Sequence, residues 1–270
     1  MAQTSITLRA DPIPIVDAEI NGRPVRLEVD LRMPDALAMS NEAAQRLRVQ
    51  RIPFVAVRIS IEGGDASIRG RIARPRFEID GRSSRAFAGV FPAPVTSRAD
   101  GVIGPGALPH DVVIVELGPE QADARDIVFV LDEPDIWSVH ADVGRERLRI
   151  GFNLSNQESV IHRTASRLFD ASGAISAAGE LTQTHLILGL STLMQPVRTE
   201  LTVEDLSLGP TLARTNAPLL GATEEDAVVV RGQVDSPPPP ALTLGRAALE
   251  RCSFMRVDRR TRQLTLRCAS

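Results

Sequence analysis

Leu27-Glu28-Val29-Asp30-Leu31 and Ile150-Gly151-Phe152-Asn153-Leu154 read as two versions of one strand end, and their agreement decides the fold. Each leaves a strand that follows a short turn, at Asn21-Gly22 in the first case and Val143-Gly144 in the second. Each is answered downstream by an apolar pair with a glycine, Val102-Ile103-Gly104 and Thr243-Leu244-Gly245. Several features repeated in one order predict a duplicated unit. Position 30 is a carboxylate and position 153 its amide, so a site assembled from the two equivalent positions holds half of a carboxylate pair.

The chain has 270 residues, enough for one long domain or two ordinary lobes, and the repeat favours two lobes. Its hydrophobic fraction of 43% is that of a globular protein, and a net charge of -3 with both signs interspersed excludes a basic nucleic-acid footprint or a polybasic membrane anchor. Apolar runs such as Val112 to Val115 and Ala227 to Val230 have strand length, far short of a bilayer span. The opening Met1-Ala2-Gln3-Thr4-Ser5 lacks the basic and apolar regions of a signal peptide, which leaves a cytosolic protein or a mature form without its leader.

Outward from the first motif, Ile13 to Ile20, the turn Asn21-Gly22 and Pro24 to Val29 predict a hairpin, because Asn-Gly between alternating runs suits the tight turn that joins antiparallel strands. A short helix is expected from Asn41 to Leu47, with Ser40 as N-cap and Glu42 in its first turn. Val55 to Ile61 and Ser67 to Ile72 predict a long hairpin with a flexible tip at Gly63-Gly64. Strands at Arg76 to Ile79 and Ala86 to Phe91 are expected to be joined by a turn at Asp80-Gly81, followed by a helical turn near Ala107-Leu108 and a strand at Val112 to Val115. The boundaries follow: a first lobe over 1–118, a linker over 119–126 and a second lobe over 127–270, with its extra length between about 180 and 240. Ser236-Pro237-Pro238-Pro239-Pro240 reads as a surface loop ahead of a strand.

This order of hairpin, Asp-bearing turn, short helix, glycine-tipped hairpin and apolar pair with glycine resembles the retropepsin and pepsin family of aspartic proteases. The resemblance runs from about Pro12 to Leu266 and implies a mostly β, bilobal fold of two similar barrel-like lobes with short helices. In that family each lobe supplies Asp-Thr-Gly or Asp-Ser-Gly, and two carboxylates share a proton and activate water. Here the loops read Asp30-Leu31-Arg32 and Asn153-Leu154-Ser155, so only Asp30 matches. Asn153 can donate a hydrogen bond but cannot exchange a proton, a loss worth on the order of 10² to 10⁴ in rate. Leu31 and Leu154 remove the bracing hydroxyls, and Arg32 replaces a glycine; pointed at Asp30, it favours the ionised form. The chain has no tyrosine, so the flap tyrosine of pepsins is missing, while the Gly63-Gly64 tip suits a retropepsin.

The expected function is therefore a catalytically impaired, aspartic-protease-like protein that binds an extended peptide in a cleft between its lobes. Asp30 and Asn153 occupy the catalytic positions, and Leu31, Arg32, Gly63, Gly64, Leu154 and Ser155 the substrate-binding ones. Two alternatives remain: an active endopeptidase using Asp30 with an unusual partner, with Glu28 on the same face if the strand stays regular, and a non-enzymatic scaffold. No cofactor or metal is implied, since His110, His140, His162 and His185 form no ligand grouping with the cysteines. A monomer is among the states this organisation allows. Ser155 and His162 lack an argued oxyanion hole, and Gly101 to Gly106 lacks the lysine of a phosphate loop. Cys252 and Cys268 flank a predicted hairpin centred near Arg260 as potential disulfide partners, and a bridge argues for the periplasm or export.

Overall fold

The computed structural model describes residues 3–60, 67–133, 136–185, 190–215, 219 and 240–269. The Gly63-Gly64 tip, Pro134, the run Ala227 to Val230 and Ser236 to Pro239 lie outside the described residues. The first eleven strands are β1 (Ser5–Arg9), β2 (Ile15–Ile20), β3 (Arg23–Val29), β4 (Ala36–Ser40), β5 (Arg51–Ser60), β6 (Ser67–Ala73), β7 (Arg76–Ile79), β8 (Arg82–Arg85), β9 (Phe87–Phe91), β10 (Gly101–Ile103) and β11 (Val112–Glu116). Residues 117–124 carry no helix or strand. Then follow β12 (Arg125–Glu133), β13 (Ile136–Val143), β14 (Glu146–Phe152), β15 (Ser159–Ile161), β16 (Ile175–Ala177), β17 (Thr182–His185), β18 (Ser191–Thr199), β19 (Thr202–Val203), β20 (Leu206–Ser207), β21 (Thr211–Arg214), β22 (Ala241–Leu244), β23 (Cys252–Asp258) and β24 (Gln263–Cys268). Among the described residues two α-helices, α1 (Asn41–Arg46) and α2 (Arg163–Ala171), and two short 3-10 turns, at Pro105–Ala107 and Arg246–Leu249, complete a mostly β structure.

Alternation drives the strands: β2 buries every second residue and ends on Ile20, which is fully covered. The turn into β3 places Asn21 and Gly22 at φ 54° and 71°, the left-handed pair that hairpin twist demands. Ser40 caps α1 by accepting a hydrogen bond from Ala43 N at 3.0 Å.

Around the two motifs the strands follow one order and one set of directions. In the first half, β3 pairs in parallel with β10, β10 antiparallel with β4, β4 in parallel with β9, and β9 antiparallel with β6. In the second, β14 pairs in parallel with β22, β22 antiparallel with β15, β15 in parallel with β21, and β21 antiparallel with β18. A hairpin partner precedes each run, β2 for β3 and β13 for β14. Each helix follows the corresponding strand, α1 after β4 and α2 after β15.

The halves meet in a shared sheet, where β11 of the first pairs antiparallel with β23 of the second in the order β1-β11-β23-β24-β12. The β23–β24 hairpin brings Cys252 opposite Cys268, and a disulfide joins them. The ends of that loop lie 16 residues apart. Replacing both cysteines with serine is expected to lower the unfolding free energy by about 2–3 kcal/mol through lost closure entropy. Urea titration of the two proteins measures it, and coincident midpoints would show that the bridge adds nothing.

Three local expectations are corrected. The turn before β14 falls at Gly144-Arg145, one residue later than expected, because Gly144 takes the left-handed backbone at φ 62°. Asp80-Gly81 turns into β8 rather than directly into the strand at Phe87; Arg82-Ser83-Ser84-Arg85 carries no apolar residue to signal a strand, and it forms the sheet edge. The helix α2 was not anticipated, although its nine residues divide into a buried face of Ala165, Ser166 and Phe169 and a polar face at the helical period.

Candidate functional site

The two strand ends are held alike. Asp30 N donates to Ile103 O at 3.1 Å, and Asn153 N donates to Leu244 O at 2.9 Å, so each loop is pinned to the strand that its own half lays beside it. Asp30 Oδ1 accepts from Arg32 N at 3.0 Å, and Asn153 Oδ1 accepts from Ser155 N at 2.9 Å. Asparagine and aspartate close this two-residue side-chain turn equally well, so loop geometry alone does not require a carboxylate at 153. Gly104 and Gly245 stand directly after β10 and β22 and pack against the loops: a Cβ at 104 would lie 1.7 Å from Pro34 O, and one at 245 would lie 2.3 Å from Glu158 O.

The loops differ in charge. Arg32 grips Asp30 with two further bonds, Nε to Oδ1 at 2.9 Å and Nη2 to Oδ2 at 2.7 Å, a bidentate pair that occupies both carboxylate oxygens. Burial works to lower the Arg32 pKa, but the bonds to Asp30 and the charges of Asp30 and Glu28 outweigh it and leave the guanidinium above its usual value. Among the described residues no hydrogen bond joins the Asp30 and Asn153 side chains.

A cavity of about 670 Å³ opens over Asp30. Val57, Ile59, Phe91 and Val102 give it apolar walls, and Ser155, Asn156 and Arg214 enter it from the second half. Glu28 also lines it, two residues before Asp30 on the same face of β3, with a side chain only 7% exposed. Thr96 Oγ1 donates to Glu28 Oε2 at 2.5 Å, and Arg98 Nη1 stands 3.9 Å from Oε1.

A smaller cavity of about 260 Å³ lies on the second-half side, lined by Leu31, Asn153, His162 and the arginines 32, 149 and 214. Arg32, Asn156 and Arg214 line both cavities. His162 Nε2 is 2.9 Å from Thr243 Oγ1. Burial first, then the charges of Arg214 and Arg149, push the His162 pKa down to about 4.

Of the residues singled out in the sequence, Asp30, Arg32 and Ser155 line the larger cavity, while Leu31, Arg32 and Asn153 line the smaller. Leu154 is 3% exposed, packs in the core and lines neither. Gly63 and Gly64 lie outside the described residues. Glu28 as a cavity wall, Arg149 and Arg214 were not anticipated; an outward arginine in an alternating strand reads as ordinary solvent-facing polarity. No group of three potential metal ligands occurs among the described residues, and no helix there is long and apolar enough to cross a membrane.

No protein-family model matches the chain, and no curated protein matches it.

Removing either member of the Arg32–Asp30 pair should have unequal effects. The Asp30 side chain is 8% exposed and that of Arg32 40%, so Arg32→Ala strands a buried carboxylate, whereas Asp30→Ala leaves a cation that can reach water. The expected losses are about 1–2 kcal/mol for Arg32→Ala, reduced from the fully buried case by the exposure of Arg32, and under about 1 kcal/mol for Asp30→Ala. Chemical denaturation at neutral pH checks the order, and equal losses would contradict it.

Proposed function

We propose that the chain is a duplicated, two-lobed protein of retropepsin-like build that holds an extended peptide between its lobes and does not hydrolyse it. The lobes would span 1–118 and 127–270, joined by 119–126. The observation that carries this reading is the bidentate Arg32–Asp30 pair on the wall of a 670 Å³ cavity. A carboxylate engaged at both oxygens is poorly placed to polarise water, and the equivalent position offers an amide that cannot complete a proton cycle. The matched strand orders support duplication, and residues from both halves around the cavity support a ligand that contacts both. Apolar walls with a few fixed polar groups suit a peptide whose side chains supply most of the contact area.

A diverse peptide library incubated with the protein from acidic to neutral pH, read by mass spectrometry for cleavage and by retention for binding, tests this. Retained peptides without new termini are expected. Cleavage by the wild type that disappears in Asp30→Ala would make the protein an endopeptidase, and an absence of retained peptides would leave a scaffold.

A further inference from the structure

We propose that Glu28 is the specificity-determining residue of the larger cavity and selects a basic side chain, Lys or Arg, of the bound peptide. The peptide part rests on the peptide-binding reading; a cation site at Glu28 does not. Glu28 stands on the wall of the 670 Å³ cavity with a side chain only 7% exposed. Strand register puts it there, because β3 runs between β2 and β10 and sets Glu28 opposite Ile15 on one side and Val102 on the other. A carboxylate so covered needs hydrogen-bonded and charged partners.

Glu28 and Asp30 share this wall and are held differently. Arg32 hydrogen-bonds both oxygens of Asp30, at 2.9 Å and 2.7 Å. At Glu28, Thr96 Oγ1 holds Oε2 at 2.5 Å, while Arg98 Nη1 stands 3.9 Å from Oε1, within ion-pair range and beyond hydrogen-bond distance. The Arg98 side chain is 46% exposed and can turn to water. Its backbone N donates to Thr96 Oγ1 at 3.1 Å, so the loop stays tied to the carboxylate through the threonine when the guanidinium leaves. A ligand cation that hydrogen-bonds Oε1 therefore replaces a long contact with a short, charge-assisted one. A neutral ligand in the same place would displace Arg98 and return no charge to a covered carboxylate. Val57, Ile59, Phe91 and Val102 give the apolar surface that suits the methylene stem of Lys or Arg, and Glu28 answers the charged end.

The test uses the full chain with two small probes, butylguanidine, which carries the end of an arginine side chain, and butylurea, its neutral counterpart of similar shape. Both are titrated by NMR into wild type, Glu28→Gln and Arg98→Gln, with Trp137 fluorescence checking that each variant is folded. Butylguanidine is expected to bind the wild type about tenfold tighter than butylurea and to lose about tenfold in Glu28→Gln. Arg98→Gln removes the competing guanidinium and is expected to tighten butylguanidine about threefold, a gain that a merely structural ion pair would not produce. Should Glu28→Gln fail to fold, Arg98→Gln decides alone: tightening supports the inference, and unchanged or weaker binding overturns it. Peptides retained by the wild type are expected to carry Lys or Arg, and to lose retention when that residue is replaced by norleucine. Equal binding of the two probes, butylguanidine binding indifferent to Glu28→Gln, or no binding at all would overturn the inference, and retained peptides without a basic residue would then leave the peptide reading intact. Butylguanidine bound through Glu28 without any retained peptide would keep the cation site and defeat the peptide reading.

Discussion

Gly104→Ala is expected to destabilise the protein by about 3 kcal/mol, a large share of an ordinary overall stability. The backbone at 104 has φ -73° and ψ 146°, which any residue adopts, so the requirement is for space. A Cβ there would meet Pro34 O at 1.7 Å and Met33 O at 2.8 Å. Both obstacles are backbone atoms of the loop that follows Asp30, and Gly104 N is itself bonded to Ala36 O at 2.8 Å, so relief means prying the loop off β10. Gly245 stands in the same relation to the second loop, 2.3 Å and 2.4 Å from Glu158 O and Gln157 O, and Gly245→Ala is expected to behave alike. Gly151→Ala is the control: it lies in β14 next to the same site, and its Cβ would find only Thr243 Oγ1 at 3.8 Å. The single tryptophan, Trp137, is buried in β13 and reports unfolding by fluorescence. Gly104→Ala with the wild-type denaturation midpoint would show that the loop moves aside at little cost, and the rigid-pair account of the site would fail.

This pair of glycines also explains why so much of the fold was legible. Features that depend on local backbone chemistry stand in the sequence: the Asn21-Gly22 turn, the Ser40 cap, the alternation of β2 and the facing positions of Cys252 and Cys268. The glycine after each apolar pair was legible as a repeat, but its reason lies in a contact between segments some seventy to ninety residues apart and needed the packed loops. Where local chemistry is silent, reading failed. The edge strand β8, Arg82-Ser83-Ser84-Arg85, has no apolar side to bury, so nothing local marks it as a strand.

The site divides in the same way. The matching places of Asp30 and Asn153 stand in the two similar strand ends, and the grip of Arg32 on Asp30 follows from proximity along the chain, since only Leu31 lies between them and a guanidinium reaches that far. Arg149 and Arg214 are different. They stand on β14 and β21, separated in the sheet by β22 and β15, and only the register of those four strands turns two ordinary arginines into one cavity wall. No spacing in the sequence encodes that juxtaposition.

Acidification from pH 7 to pH 4 is expected to remove about 3 kcal/mol of stability through His162 alone, about 2 kcal/mol of it by pH 5. In the unfolded chain the imidazole titrates near 6.5, and in the folded protein it is pushed down to about 4. Between those values the unfolded state binds the proton and the folded state does not, so the stabilising contribution is present above pH 6.5 and is lost as pH falls toward 4. Burial supplies most of the penalty on the charged ring, and Arg214 from β21 and Arg149 from β14 supply the rest. Carboxylates add their own acid sensitivity. Burial tends to raise Asp258, but hydrogen bonds from Thr261, Gln3 and Arg260 and the charge of Arg256 hold it below its ordinary value, so its stabilisation is also lost on the acid side. That part is common to wild type and His162→Gln, which keeps a group able to bond Thr243 and cannot titrate. Urea unfolding at pH 7, 5 and 4 should therefore give a wild type that falls more steeply than His162→Gln by about the amounts stated, and parallel profiles would place the imidazole in water. The acid range in which a shared-proton carboxylate pair performs hydrolysis is the range in which this charge pattern weakens the fold.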